Sequence, residues 1–140
     1  MEGGDENMNY TKILLVTSAI FGLFGAIMGA HMAGAGSYAF RPIHAHILVL
    51  GWLTLFGWAI YYKVFKPKNK VLMACHVWSA IIGSIGLTIG MWLYFLNPFS
   101  LPNGFNLVFY IVGGMTVLTS FIFFLILAIV QETSENDIIN

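Results

Sequence analysis

Charge is the scarcest commodity in this chain of 140 residues, with 9% of positions Asp, Glu, Lys or Arg and six of each sign. So little charge cannot coat a water-soluble domain of this size, and a balanced net charge offers no basic face for nucleic acid. Cysteine is represented by Cys75 alone, which excludes an internal disulfide. What fills the sequence instead is apolar, 59% of all residues, and such a composition belongs in a lipid bilayer.

Four stretches are long enough to cross the hydrocarbon core, 13–34, 40–64, 71–96 and 105–130. Each exceeds the roughly 20 apolar residues that a spanning helix needs. Lipid leaves open backbone groups unsatisfied, so these runs are expected to be helices rather than strands. The fold class expected is an all-α membrane protein with four transmembrane helices. It divides into a soluble leader at 1–12, the four-helix membrane domain at 13–130 and a tail at 131–140.

Orientation follows from the basic residues. "YKVFKPKNK" collects Lys63, Lys66, Lys68 and Lys70, whereas "AGAGSYAFRP" has only Arg41 and "NPFSLPNG" has no basic residue. The lysine loop is therefore expected to be cytoplasmic, with both termini on that side. The acidic leader and the length of the first apolar run argue against a cleaved signal peptide.

Glycines recur at the same spacing in two spans, Gly22, Gly25 and Gly29 in the first and Gly83, Gly86 and Gly90 in the third. Small residues four apart let helix backbones approach closely, so these sets are read first as packing faces. Gly51 before Trp52 and Gly57 before Trp58 are open to two readings, packing or room for a flat ligand beside the indoles.

Chemistry is concentrated in four histidines, because ionisable side chains within a membrane are costly and mark functional sites by default. His31 lies near the outer end of the first span, His44 and His46 near the outer start of the second, and His76 toward the inner end of the third. Two residues along a helix rotate a side chain by about 200° while rising about 3 Å. His44 and His46 therefore face opposite ways at nearly one depth and need different partners. A haem suits this, since its iron takes axial imidazoles from separate helices on its two faces. Leu48, Leu50, Gly51 and Trp52 are candidates to form an apolar slot for the macrocycle.

The stretch "RPIHAHILVLGWLTLFGWAIYY" resembles helices of the catalytic subunit of haem-copper oxidases and the related nitric oxide reductases, in which an H-x-H pair near a helix end binds two haems. It also resembles short stand-alone bacterial membrane proteins with an "HAH…GW" helix and a histidine before a tryptophan in the next helix, which "CHVWS" fits. The resemblance implies haem b, a place in the bacterial inner membrane, and a fold equal to one four-helix unit of the larger subunit. Members of the oxidase family have twelve core helices in three such groups, so a homotrimer of this chain would be a threefold analogue. In that ring His46 of one chain would face His44 of the next; Arg41, one turn before the pair, is open to two readings, a partner for haem propionates or an interfacial anchor.

The departures are as informative. The chain has no neighbouring-histidine pair, no H-P-E-V-Y-like segment for copper and no carboxylate within a span, which points away from oxygen reduction with proton pumping. A bis-histidine haem for electron transfer or redox sensing is the expected function. His31 and His76 are secondary ligand candidates. Two rival readings are copper handling by Met28, His31, Met32 and His44, and a non-catalytic assembly subunit that docks through the glycine faces.

Overall fold

The computed structural model describes residues 2–131, with side chains from Asn9 onward; 132–140, most of the expected tail, lie outside the described residues. Every regular element among them is helical, and four helices are long and apolar enough to cross a membrane. Helix α1 runs Glu2–Ala35 and its apolar part Asn9–Ala35. Helix α2 is the span Arg41–Phe65, α3 is Lys70–Leu96 and α4 is Asn103–Val130. The stretch read as a leader thus continues the first span as helix.

Local chemistry sets the helix ends. Gly36, at a positive φ of 60°, lets the chain turn after α1, and Pro42 occupies the first turn of α2, where its missing N–H costs nothing. Helix α2 stops at Lys66 in the left-handed region. The Asn69 side chain then caps α3 by accepting from the Leu72 N–H at 3.0 Å. Asn97, also left-handed, ends α3.

One feature of α2 was not anticipated. Its middle, Ile47–Thr54, is a π-helix, and the Thr54 hydroxyl follows the same wide turn by donating to the Val49 carbonyl five residues back at 2.9 Å. The physical benefit is register. From Ile43 to Tyr62 an unbroken α-helix would swing the buried stripe by about 100° around the axis. The wider turn takes that rotation back, so Ile43, Ile47, Leu50, Leu55, Trp58 and Tyr62 all reach the interior.

The helices pack as two hairpins, α1 with α2 and α3 with α4, and each glycine set faces the partner within its own hairpin. A Cβ added at Gly22 would meet the Trp52 ring at 3.0 Å, and one at Gly29 would meet the His44 ring at 3.0 Å; Gly25 lies against Leu48. In the second hairpin the neighbours are backbone. A Cβ at Gly83 would come within 2.7 Å of the Val117 nitrogen, and one at Gly90 within 2.7 Å of the Tyr110 Cα. The two stripes belong to a longer match, "SAIFGLFGAIMG" at 18–29 and "SAIIGSIGLTIG" at 79–90, identical at six of twelve positions. One glycine pattern therefore builds both hairpins, the first spaced by side chains and the second closed backbone to backbone.

Two apolar clusters hold the hairpins together. One, toward the lysine loop, contains Leu14, Leu55, Trp58, Tyr62, Met73 and Val77; the other, toward the opposite end, centres on Ile43, Ile47 and Met91. The outer surface is rich in exposed large apolar side chains such as Leu23, Phe24, Ile60 and Ile129, which is the exterior a bilayer requires.

Candidate functional site

The histidine pair sits on the first turns of α2, at the end of the bundle away from the lysine loop. His44 points into the seam with α1, where Gly29 makes room for its ring. Its Nδ1 is buried and has no hydrogen-bond partner. His46 points the other way, onto an exposed face of α2, and its Nδ1 lies 2.9 Å from the Pro42 carbonyl. A carbonyl only accepts, so Nδ1 must carry the proton and donate. Neutral His46 consequently keeps its lone pair on Nε2, the tautomer of an imidazole ready to bind a metal.

Around the pair, Arg41 is exposed and its guanidinium lies 4.5 Å from the centre of the Tyr38 ring, a cation–π contact. Trp52 is 46% exposed, one part of its ring over Gly22 and the rest outward. The space beside Gly51 is filled within the chain, because the Phe21 ring from α1 lies against it. Gly57, by contrast, has open space where a Cβ would stand. Of the two glycine–tryptophan pairs, Gly51 is thus a packing position and Trp58 a core residue.

The other histidines part company. His31 is exposed at the same end of the bundle and meets Phe40 edge-on, with ring centres 6.4 Å apart. His76 is fully buried near the lysine-loop end. Its Nδ1 lies 3.0 Å from the Tyr62 hydroxyl oxygen, and Trp58, Tyr62 and Phe124 surround the ring with centres 4.6, 5.7 and 5.5 Å away. His76 thus packs at the α2–α3–α4 junction with its Nδ1 paired and its Nε2 buried without a partner. Replacing Tyr62 by phenylalanine is expected to leave Nδ1 unpaired as well and to cost about 1–3 kcal/mol, read as a lower midpoint in denaturant titration of the detergent-solubilised protein.

The methionines named with His31 and His44 do not share an open face with them. Met32 is buried and Met28 packs into the Ile43–Ile47–Met91 cluster. Among the described residues no three His, Cys, Asp or Glu side chains come together to hold a metal ion. A haem iron needs only two axial side chains from protein. Sequence reasoning missed two contributors, Gly29 as the seat of His44 and the Pro42 carbonyl as the group that orients His46. The second depends on the ring orientation of His46, which the sequence does not fix. Compared with protein-family models, curated proteins and solved structures, the chain matches none.

Proposed function

We propose that the chain is a haem b-binding membrane protein for electron transfer or redox sensing, and that the iron takes His46 from one copy and His44 from the next in a threefold ring. One observation carries this reading. In its neutral form His46 presents an oriented Nε2 lone pair on an exposed helix face that otherwise displays Val49, Leu53 and Phe56. A polar nitrogen on such a face is costly in lipid unless a partner meets it. His44 lies on the opposite side of the same helix, half-buried in the seam with α1, so the reading requires a ring in which the α1–α2 seam of one copy meets the His46 face of the next.

Between chains the exposed part of Trp52 would offer a porphyrin an apolar wall, whereas the space beside Gly51 is already filled by Phe21. Arg41 stands one turn from the pair and is suited to propionate carboxylates. A haem held by both histidines would supply electron exchange rather than oxygen chemistry. In the bacterial inner membrane, the lysine loop would face the cytoplasm and the haem the outer side.

The purified protein is expected to show a sharp Soret band, with resolved α and β bands on reduction, at about one haem per chain for a ring with one haem per interface. Colourless protein carrying copper would favour the copper-handling reading, and colourless protein without metal the assembly-subunit reading. Gly29→Leu is expected to displace the His44 ring and to convert low-spin haem to a high-spin or haem-free form. Gly29→Ala asks that ring to yield by only a few tenths of an ångström and is expected to retain most of the spectrum. A membrane-impermeant reductant is expected to reduce the haem at least tenfold faster in right-side-out than in inverted vesicles, as followed by the α band.

A further inference from the structure

Toward the lysine-loop end of the bundle, a cleft of about 400 Å³ lies between α1 and α2, lined by Thr11, Lys12, Leu15, Ala59, Ile60 and Lys63. Its place along the spans is that of a headgroup layer. Lys12 immediately precedes the apolar run that opens at Ile13, and Lys63 stands in the last turn of α2, which ends at Phe65. The two antiparallel helices thus bring one exposed lysine each to the same cleft. One helical turn toward the membrane centre, each lysine is followed by an apolar residue that is about half exposed, Leu15 below Lys12 and Ile60 below Lys63. Among the described residues no Asp or Glu lines the cleft.

Both halves of this arrangement restrict the ligand. A lysine stem lies along apolar surface while its ammonium stays in the polar layer, so the mouth of the cleft is cationic and its floor is hydrocarbon. A small inorganic anion satisfies only the mouth. A zwitterionic lipid satisfies the floor but brings its own cation to the lysines. We infer that the cleft binds an anionic phospholipid, its phosphate between Lys12 and Lys63 and one acyl chain along Leu15, Ala59 and Ile60. The attraction of one lysine to an anionic lipid surface corresponds to about a fivefold change in affinity, and two lysines at one depth act on the same headgroup. The inference goes beyond the haem reading and does not depend on it.

The test is native mass spectrometry of detergent-purified, delipidated protein titrated with dioleoyl-phosphatidylglycerol. Dioleoyl-phosphatidylcholine is run beside it, with the same chains but the phosphate charge cancelled by choline, and so is glycerol phosphate, which keeps the charge and loses the chains. The expected result is one phosphatidylglycerol per chain, bound at least tenfold tighter than phosphatidylcholine and not displaced by an equal concentration of glycerol phosphate. Lys12→Gln and Lys63→Gln, both at exposed positions, are each expected to fold normally and to weaken phosphatidylglycerol about fivefold while leaving phosphatidylcholine unchanged. Lys66→Gln, in the connection outside the cleft, is expected to change neither. Equal affinity for the two lipids, displacement by glycerol phosphate, or an effect of Lys66→Gln as large as those at Lys12 and Lys63 would overturn it.

Discussion

His46→Ala is expected to lose the low-spin haem spectrum entirely while keeping the four-helix fold. The side chain is exposed and its one hydrogen bond, to the Pro42 carbonyl, is local. Removing it should change stability by no more than about 0.5 kcal/mol, the usual range for a surface position. His44→Ala is expected to lose the same spectrum and to be somewhat less stable, because its ring fills the space over Gly29. The pair of variants thus separates ligation from folding. Retention of the wild-type spectrum by both, measured on folded protein, would refute the ligand assignment.

The largest effect on stability is expected at Gly113, where α3 and α4 touch backbone to backbone. A Cβ there would lie 2.5 Å from the Leu87 nitrogen and 2.6 Å from the Gly86 carbonyl carbon. Neither atom belongs to a side chain that can rotate away, so Gly113→Leu must force the helices apart. The cost is expected at about 3 kcal/mol or more, the upper end for overpacking. Gly57→Leu, at an open position on α2, is the control and should stay within about 0.5 kcal/mol. Thermal melts of the two variants in detergent check both values. If Gly113→Leu melts with the wild type, the close approach of α3 and α4 is not what holds that hairpin.

Much of the architecture was legible because a bilayer leaves few options. Apolar run lengths marked four spans, and Lys63, Lys66, Lys68 and Lys70 marked the connection between the second and third. The opposed directions of His44 and His46 followed from helical rotation alone. The π-helical segment of α2 did not, because "ILVLGWLT" is apolar on every side and carries no periodicity to betray its turn. Gly51 stayed open between packing and ligand space for a related reason: a glycine announces that something passes close, and only the fold reveals that it is Phe21. The depth of His76 was readable from its place in α3, whereas its partners Tyr62 and Phe124 arrive from other helices. The burial of Asn106 gave no signal, since its partner Asn97 lies across the turn on another helix end.

The central proposal, one haem held between His46 of one chain and His44 of the next, is tested most directly by complementation. His44→Ala chains with one affinity tag are co-expressed with His46→Ala chains carrying another, and complexes bearing both tags are isolated. Each variant alone has no interface with both ligands. In a closed mixed ring, one interface joins an intact His46 to an intact His44. Low-spin haem should therefore reappear at about one per mixed ring, against about three per wild-type ring. Mixed complexes that form but contain no low-spin haem would contradict ligation between chains.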